Sequence, residues 1–439
     1  MSRKSEFQCF VMLITITLLL SSCGWISQPA SPSPTPKTMI LFLSANKEGE
    51  GSAQIISELT KEYQEEHPEI EYKFEYVAES NLTQRIQLLA ASNDLPILFN
   101  YQSGKPLQDL IQSNAVLDVE KTFKALNMYD LLNPTAVQLL KANVSEKGLY
   151  ALPLEMNIEG FWYNKSIFAR YGLKVPETWD ELLEISNVLK LKSIQPFAVA
   201  GKEKWPITRL INAYIIRKFG VDAMDKVDRG ELLLTDSKVV EGVEIVKEMG
   251  LKGYFGSNVN TIDMDTSVDM FLNGQTAMFY MGSWQLRAFN DENRNKIGAD
   301  QIGFFSIPMV NGGIGKLDEY PVNAGLTTSF SKNGFTPETG NWMKYVFSRY
   351  GERAISDLGM VTGFNVSDVS QNLPELTLMV QEKLYEAKKG ALWFEARFTP
   401  KAQMVAWNNA QLLITNPHFS ALDYVTQLQE QIDKDRNEQ

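Results

Sequence analysis

Cysteine and histidine are almost missing from this chain. Its 439 residues include two of each, and both cysteines, Cys9 and Cys23, lie near the amino terminus. The body that follows therefore has no disulfide, no thiolate metal ligand and no cysteine nucleophile. His67 and His418 alone do not supply a histidine metal site or a catalytic triad. We expect no metal, no cofactor and no catalytic residues.

Positive charge is also in short supply. Lys and Arg number 42 against 53 Asp and Glu, which gives a formal net charge of −11 at pH 7. Affinity for nucleic acid comes largely from basic side chains on phosphates, so this balance argues against a nucleic-acid partner. The glycine-rich segment Asn311–Gly315 lacks the Gly-Lys-Ser/Thr of a phosphate-binding loop, and we exclude nucleotide binding.

One apolar run stands at the amino terminus, and it is too short to be a permanent membrane span. Phe7–Leu20 follows Arg3 and Lys4, and its roughly 14 residues fall short of the ~20 that cross a bilayer. Such a run after basic residues is typical of a secretory signal. The next residues, Leu20-Ser21-Ser22-Cys23-Gly24, resemble the lipobox of bacterial lipoproteins. That resemblance implies cleavage before Cys23 and lipid on its thiol; an ordinary signal peptide with an incidental cysteine is the alternative.

A proline-rich segment follows this cysteine. Ser31–Pro36 alternates proline with Ser and Thr, which blocks helix and sheet and favours an extended tether. We therefore predict a lipoprotein signal peptide at residues 1–22 and a lipidated, Pro/Ser-rich tether at residues 23–38. Two or three acyl chains would hold the protein stably on the outer face of the bacterial cytoplasmic membrane.

Strands and helices alternate at the start of the folded body. Met39–Leu43 is a continuous apolar run, as in a parallel sheet, and Gly51–Glu66 is an amphipathic helix. The strand Glu71–Val77, the helix Asn81–Ala91 and the strand Ile97–Asn100 follow. This β-α-β-α-β order predicts a doubly wound α/β lobe with ligand residues in loops at the carboxyl ends of its strands. The polar and aromatic candidates in those loops are Asn46, Glu79, Asn100, Tyr101 and Gln102, for which ordinary turn chemistry is the competing interpretation.

Two stretches later in the chain resemble one known family. Gly148–Pro153 has the pattern G-x-Y-x-L-P, and Trp162-Tyr163-Asn164, Gly172 and Pro176–Trp179 follow it. This order resembles the signature of extracellular solute-binding proteins of ABC importers, in their sugar-binding branch. Phe271–Trp284 is similar to a second pattern of that family, in which a helix end, a strand and G-x-W follow one another.

The resemblance implies an α/β protein with a two-lobed, periplasmic-binding-protein-like fold of type II. Each lobe would be a doubly wound mixed sheet flanked by helices, and several strands would form the hinge between the lobes. We expect residues 39–149 and 309–361 to form the first lobe. Residues 150–308 and 362–433 would form the second.

The resemblance also implies ligand contacts in the second lobe and at the crossings. In the family the tryptophan of the G-x-W turn, here Trp284, commonly stacks on a sugar ring, because the C–H face of a pyranose packs on an indole as an apolar surface does. A buried structural tryptophan is the competing interpretation. The remaining candidates, taken from their positions in loops and crossings, are Asn157, Trp205, Asn323, Trp393 and Arg397.

Together these features predict a carbohydrate-binding lipoprotein that closes two lobes around a mono- or oligosaccharide. Its partners would be that sugar and the permease subunits of an ABC importer, and we expect a monomer. Three alternatives stay open. They are a receptor of the same fold for a peptide, polyamine or iron chelate, a sensory partner of a membrane kinase, and a lipid-anchored glycoside hydrolase using Glu155 and Glu159.

Overall fold

A computed structural model describes residues 37–144, 148–366, 373–387 and 390–438. The predicted signal peptide, Cys23 and nearly all of the predicted tether lie outside these described residues. The strands are β1 (Thr38–Ser44), β2 (Ile70–Tyr76), β3 (Leu98–Tyr101), β4 (Asn157–Asn164), β5 (Gln195–Ala198), β6 (Thr276–Gly282), β7 (Ile302–Phe305), β8 (Tyr320–Asn323), β9 (Thr327–Phe330) and β10 (Gly390–Ala391).

The α-helices alternate with these strands and continue beyond them. They are α1 (Gly51–Glu66), α2 (Glu79–Ala91), α3 (Lys105–Gln112), α4 (Val119–Ala125), α5 (Pro134–Asn143), α6 (Lys165–Arg170), α7 (Trp179–Leu191), α8 (Trp205–Phe219), α9 (Ala223–Asp228), α10 (Ser237–Leu251), α11 (Met264–Leu272), α12 (Leu286–Asn290), α13 (Pro337–Leu358), α14 (Glu375–Glu386), α15 (Pro400–Thr415) and α16 (Ala421–Asn437). Short 3₁₀ turns precede four of them: Tyr129–Leu131 before α5, Gly201–Glu203 before α8, Val259–Thr261 before α11 and Ser283–Gln285 before α12.

The first lobe is built on a four-stranded sheet in the order β2-β1-β3-β9. The first three strands are parallel and β9 is antiparallel to β3, so the sheet is mixed. Helix α1 packs on it because Ile55, Ile56 and Leu59 recur on one face and are fully buried. The β-α-β-α-β prediction for this lobe is confirmed, with the first helix bounded as predicted.

The second lobe is built around β4, the aromatic strand of the family signature. β4 pairs antiparallel with β6, β7 and β8, and β5 and β10 extend the sheet. Its successive residues Phe161 and Trp162 face opposite sides and enter two different apolar cores. The Trp162 indole donates to the Met281 carbonyl at 2.9 Å, and Asn164 caps α6 by accepting from Ile167 N–H. Trp162-Tyr163-Asn164 is therefore the predicted core strand and helix cap.

The structure corrects two of the predicted boundaries. The polar run Leu154–Glu159 predicts a loop, but Asn157–Glu159 already belong to β4 and pair with β8 and β6. We also expected the return to the first lobe near residue 309. Instead β8 pairs with β4 in the second sheet and β9 pairs with β3 in the first. The return crossing therefore lies between Asn323 and Thr327.

Candidate ligand-binding cleft

A cavity of about 500 Å³ lies between the two lobes. Loops of the first lobe, the hinge strands and helix ends of the second lobe all contribute to its wall. Its aromatic, polar and charged lining residues are Asn46, Glu50, Glu79, Gln102, Ser103, Glu155, Asn157, Trp205, Arg209, Asp265, Ser283, Trp284, Gln285, Arg287, Asp291, Arg294, Asn323 and Trp393. The volume is in the range of small-molecule sites, which usually occupy about 300–1,000 Å³.

The first lobe supplies its contacts from the carboxyl ends of parallel strands. Asn46 follows β1, Glu79 follows β2, and Gln102 and Ser103 follow β3. The backbone N–H of Asn46 donates to the Ser44 hydroxyl at 3.0 Å, which fixes the start of the first loop. This is the edge at which a doubly wound sheet presents its ligand residues.

The second lobe supplies three tryptophans. The rings of Trp205 and Trp284 meet edge to face with centroids 5.9 Å apart, and the Arg209 guanidinium lies 5.4 Å from Trp205 and 5.8 Å from Trp393. Trp284 is half-buried, and its ring lies against Gly282. A Cβ at Gly282 would stand 1.9 Å from Trp284 Cζ3, so only glycine lets the indole fold back onto the turn. The three rings form an aromatic wall with a cation behind it.

A buried polar network ties this wall to the hinge. Arg209 Nη1 and Asn323 Nδ2 both donate to Glu159 Oε1 at 2.9 Å. Glu159 is 1% exposed and stands behind the cavity wall, so these donors satisfy a carboxylate that water cannot reach. β4, α8 and β8 are thereby joined through one carboxylate.

A second network surrounds Asn157. The Ser283 hydroxyl donates to Asn157 Oδ1 at 3.0 Å, and Asn157 Nδ2 donates to Glu155 Oε2 at 3.1 Å. The Ser283 oxygen also accepts from Ile158 N–H. Asn157 thus holds Glu155 in place and fixes the turn that carries Trp284.

Burial raises the pKa of four glutamates in this region. The pKa values of Glu155, Glu159 and Glu395 are raised chiefly because their carboxyls are removed from water. The pKa of Glu79 is raised to about 7 for the same reason, although Arg209 and the Trp205 indole oppose the rise. Perturbed carboxyls of this kind cluster at functional sites.

The pKa of Glu79 makes stability depend on pH in a defined direction. A glutamate in an unfolded chain titrates near about 4.3, whereas the folded pKa of Glu79 is about 7. Between these values the folded state binds more protons, so the free energy of unfolding falls as pH rises through 7. We expect Glu79→Gln to flatten this decline when urea unfolding is followed from pH 5 to pH 8. Glu75→Gln, on the exposed face of β2, should leave this decline unchanged. If Glu79→Gln declined with the same slope as the wild type, the pH dependence would not come from Glu79.

The structure brings eight of the predicted binding residues to the cavity wall. They are Asn46, Glu79, Gln102, Asn157, Trp205, Trp284, Asn323 and Trp393. Whether each touches a ligand stays a prediction.

Three predicted binding residues lie away from the cavity wall. Asn100 is buried behind the first loop, where it accepts from the Ser44 hydroxyl and donates to Thr328. Tyr101 is 1% exposed in the apolar core of the first lobe. Strand residues just before a loop face the sheet's own packing as often as its edge, so their position before a loop does not by itself bring them to the cavity.

Arg397 is the third of these residues, and it bridges the two lobes. Its guanidinium pairs with Asp225 at 2.8 Å and donates to the carbonyls of Ala142 and Asn143 at the end of α5. A cation is favourable at the C-terminus of a helix, where carbonyls lack intrahelical partners. The Arg397 guanidinium is therefore bonded to protein groups of both lobes and joins them.

Arg209, Ser103 and Ser283 also line this site, although no sequence pattern singled them out. Arg209 follows Trp205 by four positions, so both project from one face at the start of α8. Arg209 is the one charged residue of the run Ile207–Ile216, and that was the available signal. Glu155 also lines the cavity. Its partner in the hydrolase hypothesis, Glu159, lies behind the wall and is bonded to Arg209 and Asn323.

In the part of the chain that the structure describes, no group of three or more His, Cys, Asp or Glu side chains is placed to hold a metal ion. No helix within the described ranges is both long and apolar enough to span a bilayer.

Two mixed-sheet lobes enclosing a cavity of tryptophans and hydrogen-bonding side chains define a two-lobed solute-binding protein. The sequence agrees: residues 47–343 match the bacterial extracellular solute-binding proteins, and the chain belongs to that family. It is a family of binding proteins.

Relatives and solved structures support the same placement. The chain is similar to the multiple sugar-binding protein of Streptococcus mutans, with 27% identity over 343 residues and 75% of each chain covered. It is also similar to the xylose/arabinose-binding protein of Haloferax volcanii, with 25% identity over 318 residues, 70% of this chain and 66% of the relative. A chitin oligosaccharide binding protein superposes with a TM-score of 0.79 at 22% identity, over 91% of this chain and 98% of its own. At 22% identity, this structural similarity shows that the two proteins share a fold.

Proposed function

We propose that the protein captures a sugar or oligosaccharide in the cleft and delivers it to the permease subunits of an ABC importer. The observation that carries this proposal is the wall of Trp205, Trp284 and Trp393, faced by hydrogen-bonding side chains of the other lobe. Flat indole faces suit the C–H surface of a sugar ring, and the polar groups suit its hydroxyls. The names of the sugar-binding relatives point to the same ligand class.

Contacts across the cleft mouth support a capture mechanism by closure. Lys47 pairs with Asp265 at 3.1 Å, and Arg287 Nη1 donates to the Gly49 carbonyl at 2.8 Å. Each joins a loop of the first lobe to the second. A ligand that touches both walls stabilises this closed arrangement over an open one, and the transporter would distinguish the two.

The test of this proposal is a thermal-shift screen against neutral mono- and oligosaccharides, peptides, polyamines and iron chelates. A compound that binds only the folded protein raises its melting temperature with concentration, because binding adds to the free energy of unfolding. Release of reducing sugar from an oligosaccharide would instead indicate the hydrolase. Stabilisation by a peptide or a chelate alone would indicate the same fold serving another ligand.

We further propose that the protein is an extracytoplasmic monomer anchored through lipid on Cys23. The support is the lipobox-like Leu20–Cys23 after an apolar run, with a proline-rich segment beyond it. We expect Cys23→Ser to move the protein from the membrane fraction to the soluble fraction, because the thiol carries the lipid.

Cys9→Ser is the matched control, since it removes the other cysteine from within the apolar run itself. It should stay with the membranes and incorporate labelled fatty acid as the wild type does. Retention of Cys23→Ser in the membrane fraction with undiminished label would show that the anchor lies elsewhere.

A further inference from the structure

The positive charges of the cleft are already engaged by the protein. Arg209 is bonded to Glu159, and Arg294 is bonded to Asp265 and Asp269. Arg287 donates across the cleft to the Gly49 carbonyl. An acidic ligand would therefore find no uncommitted guanidinium among the described residues that line the cavity.

The negative charges are not balanced in the same way. Among the described residues, one cation, Arg209, attracts three carboxyls, those of Glu79, Glu159 and Glu395. Its hydrogen bond goes to Glu159, and Glu395 is bonded by Thr208 and the Trp407 indole behind the wall. Glu79 lines the cavity itself, where Arg209 and the Trp205 indole favour its charged form, but it has no ion pair with any described residue. The ionised form of a carboxyl in such a place is costly unless a cation joins it.

A second observation points to a ligand at this part of the wall. Ser103, in the loop after β3, is 3% exposed and lines the same cavity. Within the described residues its hydroxyl has no hydrogen-bond partner. Buried hydroxyls are nearly always bonded, so this one is placed to serve a group that enters the cleft.

We propose, on the basis of the proposed function, that the sugar captured here carries a protonated amine that ion-pairs with Glu79, with Ser103 bonding a neighbouring hydroxyl. An ammonium supplies the cation that Glu79 lacks, and its charge favours the ionised form of a carboxyl whose pKa burial raises to about 7. A uronic acid would instead place a second carboxyl beside Glu79, and we expect it not to bind.

The test measures affinity by calorimetry for matched sugars on the full-length protein at neutral pH and low salt. The series consists of glucose and galactose, their 2-amino and 2-acetamido derivatives and their uronic acids, each also as a short oligosaccharide. We expect the 2-amino member to bind at least tenfold more tightly than its neutral counterparts. The uronic acid should show no binding.

Glu79→Gln separates the charge from the shape of this side chain. It should bring the amino and neutral sugars to equal affinity, whereas Glu79→Asp should keep part of the preference and Glu75→Gln all of it. Equal binding of amino and neutral sugars by the wild type would overturn the inference while leaving the proposed function in place. So would a preference that survives in Glu79→Gln. Failure of every sugar to bind would refute the proposed function itself.

Discussion

Trp284→Ala should weaken ligand binding by about thirtyfold while leaving the fold intact. Trp284 is half-buried at the cavity wall, and its exposed face is available to a sugar ring. Truncating an aromatic at the centre of a site costs about 2 kcal/mol or more, and every 1.4 kcal/mol is about tenfold in affinity. Calorimetric titration with the ligand found in the thermal-shift screen measures this loss.

Tyr345→Ala is the matched control for that substitution. Tyr345 is also a half-buried aromatic, but it packs against Tyr63 on the outer face of the first lobe. Its removal should leave the dissociation constant unchanged. Unchanged affinity in Trp284→Ala, with circular dichroism like the wild type, would remove Trp284 from the site and favour the structural interpretation of this residue.

Glu159→Ala should destabilise the protein by about 3–5 kcal/mol, the cost of leaving a buried charge without its partner. Arg209 would lose its bonded carboxylate and Asn323 its acceptor, and both are anchored at the cavity wall. Urea unfolding gives the free energy. We also expect weaker ligand binding, because Arg209 then no longer holds its place beside Trp205 and Trp393.

Glu75→Ala provides the comparison for that stability effect. Glu75 pairs with Arg85 on the surface of the first lobe, with both side chains substantially exposed. Such surface pairs contribute within about 1 kcal/mol. If Glu159→Ala and Glu75→Ala unfolded at similar urea concentrations, the buried network would not have the role described here.

Much of the fold could be predicted from local patterns. An apolar face that ends at His67-Pro68 predicts the bounds of the helix Gly51–Glu66. Thr178 with Glu181 three residues later predicts the capping box that is found at the start of α7. The lobe boundary near residue 309 could not be found in this way. β8 is a short buried strand whose partner, β4, lies more than 150 residues earlier, and pairing at that distance leaves no periodic signal.

In the candidate site too, local patterns predicted some residues and missed those that tertiary packing positions. Asn46 and Trp284, which were chosen because they lie in predicted loops, do line the cavity. Arg397, a predicted ligand residue, joins the two lobes instead. Arg209, for which the sequence made no prediction, lines the cavity wall. Which arginine meets a ligand depends on how α5, α8 and the segment before α15 pack together, and one sequence does not encode that packing in a readable pattern.

The most direct measurement of the central claim is calorimetric titration of the purified protein with neutral and amino sugars and their oligosaccharides. We predict saturable one-to-one binding of at least one of them, with Trp284→Ala binding it far more weakly. Saturable binding of a peptide, polyamine or iron chelate, with no heat from any sugar, would contradict the account.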